Sequence, residues 1–183
     1  SSDLCEGTTT ITVSIPADEE NLFTAASETY TVTVTYDGTK LPLTFEVVSG
    51  GTLYFQNNAA EAVEYKLNDG EWTEIPASEL GSIEVAEGDK LLFRGDNKTY
   101  APTNYYNNSR FYGDAEVQVY GNVMSLIDKD KFSKLTKLEE PNAFSRMFSS
   151  YNIKNHATRD IVLPATELTN YCYYKIGRAS CRE

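Results

Sequence analysis

Histidine is nearly missing from these 183 residues: there is one, His156, beside two methionines, one tryptophan and three cysteines. With a single imidazole, no three-ligand set of His and Cys can be assembled around a metal. A Ser or Cys nucleophile would likewise have only this one ring to serve as its base. His156 stands in Lys154-Asn155-His156-Ala157-Thr158, a polar connector, and is expected to be a solvated loop residue. Cys5, Cys172 and Cys181 are too dispersed for a C-x-x-C pair or a small disulfide scaffold. No apolar run approaches the roughly 18–20 residues of a spanning helix, so no membrane insertion is expected. No Met, basic stretch or apolar stretch opens the chain, so a signal peptide is expected to be absent or already removed. Cations are scarce too: 16 Lys and Arg stand against 27 Asp and Glu, a net charge of −11. That balance argues against nucleic acid, whose phosphates need clustered Lys and Arg, and against an anionic membrane surface. Its simplest meaning is solubility.

What is plentiful is tyrosine, 13 of the 183 residues, together with Thr and Val, which suit a pleated, half-buried surface. Thr10-Ile11-Thr12-Val13-Ser14-Ile15 and Tyr30-Thr31-Val32-Thr33-Val34-Thr35-Tyr36 alternate as strands do. Asp37-Gly38 then offers a hairpin turn, but Leu41-Pro42 comes next, and Pro cannot donate to a ladder. A boundary is therefore expected near Leu41. Residues 1–41 read as extra strands, or as the end of an upstream immunoglobulin-like module. From Leu43, strand signals alternate with turns at Ser49-Gly50-Gly51, Asn68-Asp69-Gly70 and Glu87-Gly88-Asp89. Seven or eight short strands at this spacing predict an antiparallel, immunoglobulin-like β-sandwich over residues 42–121. Its expected core is Phe45, Leu53, Phe55, Val63, Tyr65, Leu67, Ile83, Val85, Leu92, Phe93, Val117 and Val119. Residues 122–175 change to the pattern of short amphipathic helices. Within them Ala143-Phe144-Ser145-Arg146 matches Cys172-Tyr173-Tyr174-Lys175 at an offset of 29 residues, the upper limit of leucine-rich repeats.

Among candidate sites, Asp128-Lys129-Asp130 begins like a calcium loop, with Glu139 at the twelfth position. Phe132 and Ser133 then occupy places that need an oxygen ligand and a glycine. Phe132, Leu135 and Leu138 fit an amphipathic helix better. Carboxylate pairs such as Glu71 and Glu74, or Glu139 and Glu140, read as solvated faces. No catalytic residue, metal site or cofactor is expected, and the chain is read as not an enzyme. Trp72 is expected to pack near its turn. The one binding candidate is aromatic: Tyr100, Tyr105, Tyr106, Phe111 and Tyr112, interleaved with Asn97, Asn104, Asn107 and Asn108. Flat apolar rings beside adaptable amides make a recognition surface for a glycan or a protein. The same rings could instead close one end of the sandwich or pack on the repeat-like segment after it.

Tyr65-Lys66-Leu67-Asn68-Asp69-Gly70-Glu71-Trp72-Thr73, Val85-Ala86-Glu87-Gly88-Asp89-Lys90 and Phe93-Arg94-Gly95 resemble a β-domain in surface proteins of gut Bacteroides-type bacteria. Gly121-Asn122-Val123-Met124-Ser125-Leu126 and Asn142-Ala143-Phe144 resemble the segment after it. Leu163-Pro164-Ala165-Thr166-Glu167-Leu168, with Cys172-Tyr173, resembles the first unit of a BspA-like leucine-rich repeat array. The resemblance spans roughly Leu43 to Lys175. It implies an extracellular protein of the bacterial cell surface, with the sandwich as spacer and cap of a repeat array, serving adhesion or capture of a host or microbial surface protein or glycan. A monomer is expected. The rival reading is an accessory domain of a secreted glycan-active enzyme. Ile176 to Glu183 resembles translated sequencing-adapter oligonucleotide and is expected to stand outside the fold. Leu163, Leu168, Cys172 and Tyr173, lacking a further repeat, are then expected to have one side open to water.

Overall fold

The structure is a computed structural model that describes residues 7–15, 25–34, 36–104 and 106–176. It separates two units, Ser1–Asp37 and Gly38–Glu183. In the first, β1 (Gly7–Ile15) and β2 (Ala26–Val34) form an antiparallel ribbon. The alternation of Thr with β-branched and aromatic residues gives it two unlike faces. Ile11, Val13, Tyr30 and Val32 share one, all at least 40 % exposed. Thr10, Thr12 and Ser14 pair with Thr31, Thr29 and Ser27 on the other. Asp37-Gly38 is the junction between the units and not a hairpin turn, because β2 pairs with β1. Leu41 and Pro42, where the boundary was expected, already belong to the second unit. The Asn122 N–H donates to the Leu41 carbonyl at 2.9 Å, and Pro42 bridges Asn122 in parallel.

The second unit holds β3 (Leu43–Ser49), β4 (Gly51–Gln56), β5 (Val63–Leu67), β6 (Trp72–Ile75), β7 (Leu80–Val85), β8 (Lys90–Gly95), β9 (Arg110–Gly113), β10 (Glu116–Asn122), β11 (Ile153–Asn155) and β12 (Ile161–Val162). The larger sheet runs β11-β10-β3-β8-β5-β6, with β12 also parallel to β10; the smaller runs β7-β4-β9. Apolar side chains on the inner faces meet between them. Phe45 of β3 lies 4.6 Å from Phe111 of β9 between ring centroids, Phe93 of β8 lies 4.8 Å from Phe111, and Phe55 of β4 lies 4.4 Å from it. Burying each such ring stabilises the fold by about 1.5–3 kcal/mol. The molecule is thus mainly β, with open sheets. Of the expected core, Phe45, Leu53, Phe55, Val63, Ile83, Val85, Phe93, Val117 and Val119 are buried. Tyr65 and Leu67 pack partly against them. Leu92 is displaced: with Phe93 inward, the two-residue period of β8 turns Leu91 inward and Leu92 to the outer face.

The turns divide into two kinds. Asn68-Asp69-Gly70 closes the β5–β6 hairpin, with Asn68 at φ 51° and the Gly70 N–H on the Leu67 carbonyl at 3.0 Å. Ser49-Gly50-Gly51 and Glu87-Gly88-Asp89 instead carry the chain from one sheet to the other, since β3 and β8 lie in the larger and β4 and β7 in the smaller. Asp89 ties the second of these corners to the β5–β6 hairpin, its carboxylate accepting from the Ala86 N–H and the Asn68 amide, both at 2.8 Å. Those two donors, the backbone one foremost, hold its carboxyl below the usual value.

Beyond β10 the expected short helices are two 3-10 turns, Val123–Leu126 and Phe132–Lys134. The first is capped by the Asn122 side chain and locked by Ser125, whose hydroxyl donates to the Phe93 carbonyl and accepts the Leu43 N–H. The core continues across Gly121 without a break, through Val123, Met124, Leu126, Phe144, Met147 and Phe148. Two coils, 136–148 and 165–176, then lie one on the other. The N–H groups of Asn142, Phe144, Arg146 and Phe148 donate to the carbonyls of Asn170, Cys172, Tyr174 and Ile176 at 2.6–2.9 Å. Left-handed residues recur at the same steps, Asn142 and Arg146 in one coil, Tyr171 and Lys175 in the other. Phe144 stacks on Tyr173 at 5.8 Å and 7°. The two matching segments therefore share backbone conformation and are in contact. Ile176 is 4 % exposed and packs in this core, so it stands inside the fold; residues 177–183 lie outside the described residues. Of the residues expected to be half open, Leu168 is 58 % exposed, Leu163 and Tyr173 are half-buried, and Cys172 is a buried free thiol.

Candidate ligand-binding surface

The tyrosine-rich segment divides by burial. Tyr100 is fully buried. Its hydroxyl donates to the Leu126 carbonyl at 2.8 Å, and its ring stacks on Phe144. Burial pushes its phenol well above the ordinary value. Phe111, also fully buried, is the centre of the aromatic core rather than a contact for a ligand. These two are structural. Tyr105 lies outside the described residues. Asn97 and Asn108 are buried: Asn97 Oδ1 accepts the Glu61 N–H, and Asn108 Nδ2 reaches the Arg146 carbonyl.

Tyr106, Asn107 and Tyr112 remain at the surface, joined by residues the loop alone does not reveal. The strand β9 pairs with β4 so that Tyr112 faces Tyr54 and Arg110 faces Gln56. Phe111, Leu53 and Phe55 point inward, which turns Tyr54, Gln56, Arg110 and Tyr112 to the outer face of the smaller sheet. Tyr54 and Tyr112 stack at 5.3 Å and 28°, and the Arg110 guanidinium sits 5.5 Å over the Tyr112 ring. From Gln56 a run of side-chain hydrogen bonds leads to the loop. Gln56 Nε2 donates to Asn58 Oδ1 at 3.2 Å, Asn58 Nδ2 to Asn107 Oδ1 at 3.2 Å, and Asn107 Nδ2 to Thr103 Oγ1 at 3.3 Å. Asn104 fixes the backbone here, its Oδ1 accepting the N–H groups of Tyr106 and Asn107. Tyr106, 68 % exposed, carries the Arg146 guanidinium 5.6 Å over its ring. The result is a strip with a tyrosine–arginine pair at each end and an amide run between them. Alternation in Leu53-Tyr54-Phe55-Gln56 was the available signal for β4's share of it; the pairing with β9 was not.

Two other polar clusters lie on the larger sheet. Arg94 pairs with Glu64 and lies 3.9 Å over the Trp72 ring, while Lys129 reaches Glu64 and Asp96 at 3.3 and 3.2 Å. Trp72 is thus a half-exposed ring capped by a guanidinium. His156 is not a solvated loop residue. Its side chain is 13 % exposed, its ring meets Tyr120 edge-on at 5.0 Å, and Glu46 and Arg159 close the group. Asp128 Oδ1 accepts the N–H groups of Asp130 and Lys131, so it closes a turn. Among the described residues, no three His, Cys, Asp or Glu side chains converge as a metal set, and no helix is long and apolar enough to cross a membrane.

No protein-family model matches the chain, and no curated protein or solved structure matches it either.

Proposed function

We propose that the chain is a non-catalytic binding module of a bacterial cell-surface protein, and that it captures glycans on the strip from Tyr54 and Tyr112 to Tyr106. The observation that carries this reading is the strip's composition and order. Half-exposed tyrosine rings offer flat faces to the C–H side of a sugar, and the amides of Gln56, Asn58 and Asn107 are held in line by one another beside those rings. A side chain fixed by a neighbour loses little freedom on binding, which favours affinity. The cell-surface setting is supported by the sequence motifs between Leu43 and Lys175. The BspA-like reading draws further support from the 29-residue recurrence between the two stacked coils. Two open sheets facing across one core suit an immunoglobulin-like sandwich. The test is a glycan-array screen followed by titration of the best ligand. Tyr112→Ala should weaken it about fivefold to tenfold, the loss of an aromatic contact worth ~1 kcal/mol. Undiminished binding by that variant would remove this surface from the proposal.

A further inference from the structure

Resting on that reading, we propose that the captured glycan is acidic, and that Arg110 and Arg146 read carboxylates on its sugars. Carboxylates outnumber cations in this chain, 27 to 16, so an arginine ordinarily finds a carboxylate within the protein. Arg94 does so with Glu64, and Arg159 with Glu46. Arg110 and Arg146 do not: among the described residues neither makes an ion pair, and no side-chain N–H of either is engaged. Each is held over a tyrosine ring instead. A cation–π contact steadies the guanidinium while leaving its N–H fork for a planar acceptor, and a carboxylate fits that fork with two parallel hydrogen bonds.

The placement suits a chain of sugars. Arg110 is the cross-strand neighbour of Gln56, where the amide run begins, and Arg146 covers Tyr106, next to Asn107, where it ends. Carboxylates would meet the two guanidiniums, and hydroxyls the amides between. The protein's own negative charge then works against weak, non-specific association with polyanions, leaving selection to these two forks.

The experiment is calorimetric titration of the whole chain with hexagalacturonate, its methyl ester, a neutral galactan hexamer, sialyllactose and a hexaglutamate peptide. The variants are Arg110→Gln, Arg146→Gln and the pair, with near-UV circular dichroism confirming the fold. A carboxylated sugar should bind about tenfold tighter than the ester or neutral sugar. The double variant should bring it to the neutral level. Whether hexagalacturonate or sialyllactose shows this pattern identifies a uronic or a sialic source. Equal binding of acid, ester and neutral sugar would overturn the carboxylate inference and leave glycan capture standing. A preference for hexaglutamate would overturn it in favour of an acidic peptide. If the folded protein bound no sugar at all, the inference and the reading beneath it would both fall.

Discussion

Nδ1 of His156 accepts the backbone N–H groups of Thr158 and Arg159, both at 3.2 Å. The ring proton therefore sits on Nε2, facing Glu46 Oε2 at 3.8 Å. The side chain acts as a turn cap, delivering the chain from β11 to β12. His156→Ala should cost about 1–2 kcal/mol, from two amides left without their acceptor. His156→Asn should recover most of that, since an Asn oxygen can accept from the same two amides. Denaturant midpoints measure both, and equal stability of the Ala variant and the wild type would show that the cap contributes nothing. Tyr120 gives a pH signature at the same place. Burial, opposed by the positive Arg159, pushes its phenol up to about 12. Below the unfolded value of ~10 the phenol is neutral in both states and has no effect on stability. Between about 10 and 12 the unfolded chain loses the proton first, so stability falls across that window. Tyr120→Phe should flatten the decline, measured as the unfolding midpoint against pH. A decline of unchanged steepness in the variant would assign it to other groups.

At the scale of elements, β9 shows both the reach and the limit of the sequence. Arg110-Phe111-Tyr112-Gly113 is four residues within a polar, asparagine-rich stretch, too short for alternation to stand out. Its role becomes visible only when β4 pairs with it and draws Phe111 among Phe45, Phe55 and Phe93. Phe111→Ala should destabilise the second unit by about 3–5 kcal/mol, read from thermal or denaturant unfolding. A cost below ~1 kcal/mol would mean the sheets do not meet around this ring. Strands with longer alternation, such as β5 and β10, were legible because one face of each must be buried. The corners at Gly50-Gly51 and Gly88 were legible as turns but not as crossings between sheets. A turn residue reports local backbone freedom, while its partner strand is chosen by the whole core. After β10 the 29-residue recurrence was visible in the sequence, but the expected short amphipathic helices are not what that segment forms. Aromatic and small residues recur there at a fixed offset, yet left-handed residues at Asn142, Arg146, Tyr171 and Lys175 break any helical run.

For the whole molecule, the candidate strip is assembled from parts distant in sequence: β4, β9, the loop around Asn107, and Arg146 of the first coil. Composition pointed to Tyr106, Asn107 and Tyr112, because tyrosine with asparagine at a surface is a binding chemistry. It also drew in Tyr100 and Phe111, since an aromatic residue bound for the core looks the same in sequence as one bound for the surface. Tyr54, Gln56 and Asn58 could not be found that way; Asn58 and Asn107 are 49 residues apart and meet only through the fold. The measurement that tests the account most directly is a nitrogen–proton NMR map of the chain titrated with the tighter-binding of hexagalacturonate and sialyllactose. The predicted shifts fall on Tyr54, Gln56, Asn58, Tyr106, Asn107, Arg110, Tyr112 and Arg146, with Trp72 and Arg94 on the larger sheet unmoved. Shifts gathered around Trp72 and Arg94 while the strip stays silent would contradict it.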